Sequence, residues 1–137
     1  MKYKTLFSEG TIGSLRLTNR IVMTAMETDM AEFNGNPSNL SINYFYQRAR
    51  GGAGLIITGI TRVNDMHGVS TPRQLSLAHN YNIKPMKRFT DIIHRTETKI
   101  FCQLHHPGRQ TYSALMNIWP LITVSSAVIP GFFLCEA

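Results

Sequence analysis

Apolar positions along this chain come in two patterns. Short continuous runs rich in β-branched residues alternate with longer stretches in which apolar residues recur every three or four positions. The first pattern predicts buried strands and the second amphipathic helices. Two semi-apolar segments within residues 5–19, broken around Glu9-Gly10 and Gly13-Ser14, predict a small hairpin. Arg20-Ile21-Val22-Met23-Thr24-Ala25-Met26 predicts the first buried strand. After the turn cluster Asn34-Gly35-Asn36-Pro37-Ser38, a helix is expected from Ser38 or Asn39 to Arg50. Leu40, Ile42, Tyr44, Phe45, Tyr46 and Ala49 would supply its core-facing stripe, and Gly51-Gly52 would end it.

Ala53 to Gly59 predicts a second buried strand that stops at glycine, followed by a long polar loop over residues 60–81. A loop of that length inside a compact domain is usually functional. Ile83, Met86, Phe89, Ile92 and Ile93 recur at helical spacing, so a second helix is expected over Asn82 to Thr98, with Pro85 in its first turn, where proline is tolerated. Lys99 to Leu104 predicts a third strand. Strand, helix, strand, helix, strand is the signature of a parallel sheet with right-handed crossovers, whose ligands gather at the C-terminal ends of the strands. After residue 105 no further unit is legible, and 111–137 reads as a poorly defined tail.

Composition narrows this little. The chain has 137 residues, 43% hydrophobic, enough for a packed core. Its formal charge of +6 is scattered rather than gathered into a tail, which favours anionic ligands without selecting one. No nucleic-acid recognition motif accompanies the charge, so nucleic acid is not an expected partner. Cys102 and Cys135 form neither a disulfide framework nor a metal spacing, which fits a cytoplasmic protein. No apolar run approaches the roughly 20 residues that span a bilayer, and no signal-peptide core follows Met1-Lys2-Tyr3-Lys4.

Three loops follow the three strands. They carry Ala25-Met26-Glu27-Thr28, Thr58-Gly59 and Gln103-Leu104-His105-His106-Pro107-Gly108-Arg109. A parallel sheet brings all three to one face. Together they offer a hydroxyl, a primary amide, two imidazoles, a guanidinium and bare backbone. Such a set suits a flat heteroaromatic ring with polar edges: glutamine supplies donor and acceptor side by side, and glycine permits backbone approach. Each residue also has a plain structural reading, Thr28 as a turn residue, Gly59 as a strand end, Gln103 as a polar strand end. His105 and His106 are adjacent on an extended segment and point opposite ways, so no metal site is expected. His67, His79 and His94 are expected at the surface. No nucleophile elbow, dinucleotide fingerprint or phosphate loop is present in the sequence.

The motifs resemble a known family. Leu6-Phe7, Ile12-Gly13, Leu17-Thr18-Asn19-Arg20-Ile21-Val22-Met23 and Met26-Glu27-Thr28 are similar to its opening; Tyr44, Arg48-Ala49-Arg50 and Gly51 to Gly59 to its first helix and second strand; Gln103-Leu104, His106 and Gly108-Arg109 to its third strand and loop. This is the old yellow enzyme family, also called NADH:flavin oxidoreductase/NADH oxidase, and the branch it resembles includes dienoyl-CoA reductases. The resemblance covers residues 5–110. It implies the N-terminal portion of a TIM (β/α)8 barrel: about three βα units preceded by a hairpin, with FMN at the barrel mouth. It places Ala25, Met26, Glu27 and Thr28 along the flavin edge, Gly59 against it through backbone, and Gln103 on its pyrimidine part. His106 and Arg109 would shape the last loop. The implied activity is hydride transfer from NAD(P)H, through flavin N5, to an electron-poor acceptor such as an α,β-unsaturated carbonyl or thioester. Iron–sulfur cluster and FAD belong only to longer members.

Such a barrel needs about 250 residues. The family's proton donor follows the third strand, so no catalytic residue is assigned here. The phosphate site of such barrels comes from the loops after strands seven and eight. The isolated chain is therefore expected to be marginal or unfolded and without turnover. The alternative is a small non-catalytic α/β module that binds a flavin or nucleotide, its sheet covered by residues 111–137.

Overall fold

The computed structural model describes residues 2–108, 111, 127–128 and 134–135. The chain opens with an antiparallel hairpin, β1 (Gly10–Ile12) and β2 (Leu15–Leu17), paired Gly10 to Leu17. A parallel sheet follows. Its central strand β4 (Leu55–Arg62) carries β3 (Val22–Met23) along its first half and the short β5 (Leu75–Ser76) at its far end on one side, and β6 (Lys99–His105) on the other. A further two-residue hairpin, β7 (Ala127–Val128) with β8 (Leu134–Cys135), forms a separate pair.

Helix α1 (Asn39–Arg50) begins where Ser38 accepts the Ser41 amide on its hydroxyl at 3.0 Å, the N-cap arrangement that satisfies one orphan donor of the first turn. It ends at Gly51, and Gly52, at φ +92°, takes the turn that leads back to the sheet. Helix α2 (Ile83–Ile93) buries Met86, Phe89 and Ile93, the three-and-four spacing that its sequence dictates. Ile42, Phe45 and Ala49 of α1 meet them above Ile56 of β4, with Met23 and Ile100 at the margins. The rings of Phe45 and Phe89 pack with centroids 5.5 Å apart. Both helices thus cover one face of the sheet, as consecutive right-handed crossovers require.

Several elements differ from the sequence expectation. The strand expected over 20–26 pairs only at Val22–Met23, and 24–30 is irregular. The stretch 60–81 is not one loop: β4 continues to Arg62, β5 lies within it, and a short 3₁₀ turn, Asn80–Asn82, leads into α2. The second helix stops at Ile93, five residues early, where the His94 and Thr96 amides close the final turns on Thr90 and Ile93. Leu40 faces solvent, and Tyr44 and Tyr46 are half-buried. His67 is buried, 8% exposed, because the loop folds over the end of the sheet, whereas His79 and His94 lie at the surface as expected.

The largest departure lies at Gly59. Ile57 pairs with Phe101 and Ile60 with Gln103, so Thr58 and Gly59 together oppose Cys102 alone. This is a β-bulge, two residues against one, and it kinks a strand that the glycine was expected to terminate.

Candidate active site

Paired residues in a parallel sheet share a face, and alternate residues along a strand do too. Ile56 and Ile100 pair and pack on the helix side. Phe101, Gln103 and His105 therefore lie on the opposite face, with Ile57 and Ile60 beside them. Among the described residues that face carries no helix, and the Gln103 side chain is exposed on it.

The C-terminal ends of β3, β4 and β6 converge there. The irregular segment after β3 folds against the bulge. A Cβ placed on Gly59 would lie 2.7 Å from the Met26 carbonyl oxygen and 3.0 Å from the Glu27 Cα and Oε2, so only glycine admits this approach. On the other side, the backbone N–H of Gln103 donates to Thr58 Oγ1 at 3.3 Å. Ala25, Met26, Glu27, Thr28, Gly59 and Gln103 thus occupy one end of the sheet. Gly59 spends its missing side chain on the Met26–Glu27 backbone. In the sequence Thr58 reads only as part of the second loop, with no role of its own, although its buried hydroxyl joins the two strands.

Glu27 has the most perturbed environment of this end. Its Oε1 accepts the amides of Thr28 at 2.9 Å and Asp29 at 2.8 Å. Its Oε2 is buried against Gly59 outside hydrogen-bond geometry. Burial pushes the carboxyl above its ordinary pKa; the Asp29 and Thr28 amides oppose this, the Asp29 charge adds to it, and the Ile60 amide offsets part. Asp29 itself sits at φ +50°, in the left-handed region, with its carboxylate accepting the Arg73 amide at 2.7 Å.

The third loop is tied to the stretch between β4 and β5. His105 Nε2 and the Ser70 hydroxyl lie 2.9 Å apart, and His106 Nδ1 accepts the Gly108 amide at 3.1 Å. Burial, then the neighbouring His106, lowers the His105 pKa. Arg109 lies outside the described residues. Behind the site, buried Arg62 donates to Asp65 at 2.5 Å and to the Gln74 carbonyl at 3.0 Å. Burial works against the Asp65 carboxylate, but the Arg62 and Ser76 hydrogen bonds and the Arg62 and His79 charges outweigh it and hold its pKa low. Among the described residues no group of three metal-ligating side chains gathers, and no helix is long and apolar enough to cross a membrane.

Parallel strands with both crossover helices on one face, and a polar cluster at the strand termini, define a segment of a (β/α) barrel. The structure of an old yellow enzyme homologue from Zymomonas mobilis superposes on 97% of this chain and 39% of its own, with a TM-score of 0.84 at 24% identity. That of a 2-naphthoyl-CoA reductase covers 98% of this chain and 22% of its own, with a TM-score of 0.85 at 21% identity. These likenesses establish the fold. The sequence matches the model of the NADH:flavin oxidoreductase / NADH oxidase family over residues 5–126, and the chain belongs to that family. It is 38% identical over 132 residues to an NADH oxidase of Thermoanaerobacter brockii, spanning 96% of this chain and 20% of that protein. It is 33% identical over 106 residues to an NADPH dehydrogenase of Listeria monocytogenes, spanning 77% of this chain and 31% of that protein. The chain therefore spans about a fifth to a third of the length of these curated relatives.

Proposed function

We propose that this chain supplies the first three βα units of an FMN-dependent barrel that moves a hydride from NAD(P)H to an electron-poor small molecule in the cytoplasm, such as an α,β-unsaturated carbonyl or thioester. The observation that carries the reading is the meeting of 25–28, Gly59 and Gln103 at one end of the sheet. The donor set fits an FMN ring. Gln103 offers an amide donor and acceptor side by side to the pyrimidine edge. Ala25 to Thr28 border the ring, and Gly59 lets that segment close on β4. FMN, when bound, supplies the hydride-carrying chemistry; this chain's residues seat and orient it. The motif-bearing portion is taken as residues 5–110; the family match runs on to residue 126, into the segment read as a tail.

In this reading the phosphate site and the proton donor belong to later strands of the barrel, so the chain alone consumes no NADH. An exposed β6, with Phe101 at 40% and Leu104 at 64%, is consistent with a sheet that needs further units. The test is a chimaera in which residues 5–110 replace the matching segment of the T. brockii NADH oxidase. A yellow protein is expected, and Gln103→Ala in it is expected to weaken flavin retention. A folded but colourless chimaera overturns the reading.

A further inference from the structure

Three separate costs meet in the turn Glu27-Thr28-Asp29. A carboxyl oxygen is buried outside hydrogen-bond geometry. A non-glycine residue, Asp29, is held at positive φ. Two carboxylates sit two residues apart, and the charge of Asp29 acts unfavourably on Glu27. An ordinary surface turn can hold an Asp at positive φ, but seldom beside a buried carboxyl oxygen without a hydrogen bond, and such costs together cluster where a backbone is held ready for a ligand. The turn is anchored from outside by the Arg73 amide on Asp29 and by the close approach to Gly59, so it does not relax them away.

What the turn holds ready is a pair of backbone donors. The amides of Thr28 and Asp29 lie at the strand ends, and both are spent on Glu27 Oε1. We propose that Glu27 is a self-ligand of this site: its carboxylate occupies the two amides that the acceptor edge of a bound heteroaromatic ring would use, and entry of the ring displaces it. The proposal rests on the flavin reading for the identity of the ring. Displacement also frees Oε2 from its position against Gly59, so the site exchanges an ill-solvated carboxylate for neutral carbonyl or imine acceptors. From β4 the carboxyl meets the backbone of Gly59 and Ile60, and from its own segment the charge of Asp29.

The test uses the chimaera described above, stripped of its flavin, and riboflavin, which carries the ring without the phosphate, with the Thr28 and Asp29 amides followed by ¹⁵N–¹H NMR. In the flavin-free protein both amides are expected downfield, and Glu27→Ala is expected to move them upfield; no such movement overturns the contact and the proposal. Glu27→Ala frees both amides, so riboflavin is expected to bind it about tenfold tighter than the wild type. Glu27→Gln retains an acceptor oxygen and is expected to fall between them. Equal or weaker binding by Glu27→Ala, with resonances of Gly59 and Gln103 responding alike in both proteins, overturns the self-ligand role alone. Riboflavin that perturbs none of these residues in any variant overturns the ring reading, and the self-ligand role with it.

Discussion

The backbone amide of Gln103 donates to the Thr58 hydroxyl at 3.3 Å, across the one place where β4 and β6 lose register. In a regular ladder that amide would meet a carbonyl. The bulge takes the carbonyl out of line, and the threonine side chain replaces it. Thr58 is buried, and its hydroxyl also bonds to the Gly59 carbonyl at 3.0 Å. Thr58→Val keeps the shape and leaves a buried donor unmet, a loss of about 1–3 kcal/mol. A urea titration of both chains followed by circular dichroism is the check, with a lower midpoint and unchanged slope expected for the variant.

Gly59→Ala is expected to disturb the site more than the fold. The new methyl would press on the Met26 carbonyl and Glu27, both backbone-held, and forcing an extra carbon into such a space costs about 1–3 kcal/mol. The segment 24–29 must move away from β4, while the Phe45–Phe89 core is untouched. NMR shift changes confined to 24–30 and 57–60 are expected; changes spread evenly through α1 and α2 would contradict the local account.

Glu27 and Asp65 pull the pH dependence of stability in opposite directions. Glu27 has a folded-state pKa above the unfolded value, near 4.5, so its favourable contribution is complete below that value and is lost as pH rises through the folded pKa. Asp65 has a folded-state pKa below the unfolded value, near 3.8, so its contribution is present above 3.8 and is lost as pH falls through the folded pKa. Glu27→Gln should therefore gain stability over wild type at neutral pH and lose that advantage in acid. Asp65→Asn should lose stability at neutral pH and approach wild type in acid. Thermal melts at pH 3, 5 and 7 separate the two, and parallel pH profiles for all three proteins would contradict both assignments.

Much of this was legible in the sequence because it is periodic or locally coded. The spacing of Met86, Phe89 and Ile93 marks a helix wherever it occurs, and Ser38 and Gly52 punctuate α1 by their own chemistry. The order of elements then places 25–28, 59 and 103 at one end. What escaped depends on pairing across long separations. Leu75–Ser76 is a strand only because Thr61–Arg62 lies beside it, and two residues have no period. Gly59 resembles a strand terminus until Cys102 is seen opposite both it and Thr58. His67 is buried by a fold-over that composition alone does not encode. Glu27 was placed at the ring's edge with no chemistry attached, because its burial is set by a glycine 32 residues further on.

The bulge separates two properties that usually travel together. Ile57 and Ile60 are three residues apart yet share a face, so β4 stores one surplus residue without inverting anything downstream. Excising that surplus would leave every later side chain on its proper side and a more regular sheet. The carboxyl end of the strand would lose the bend that receives 26–27. A shortened β4 is thus a better strand beside a worse site.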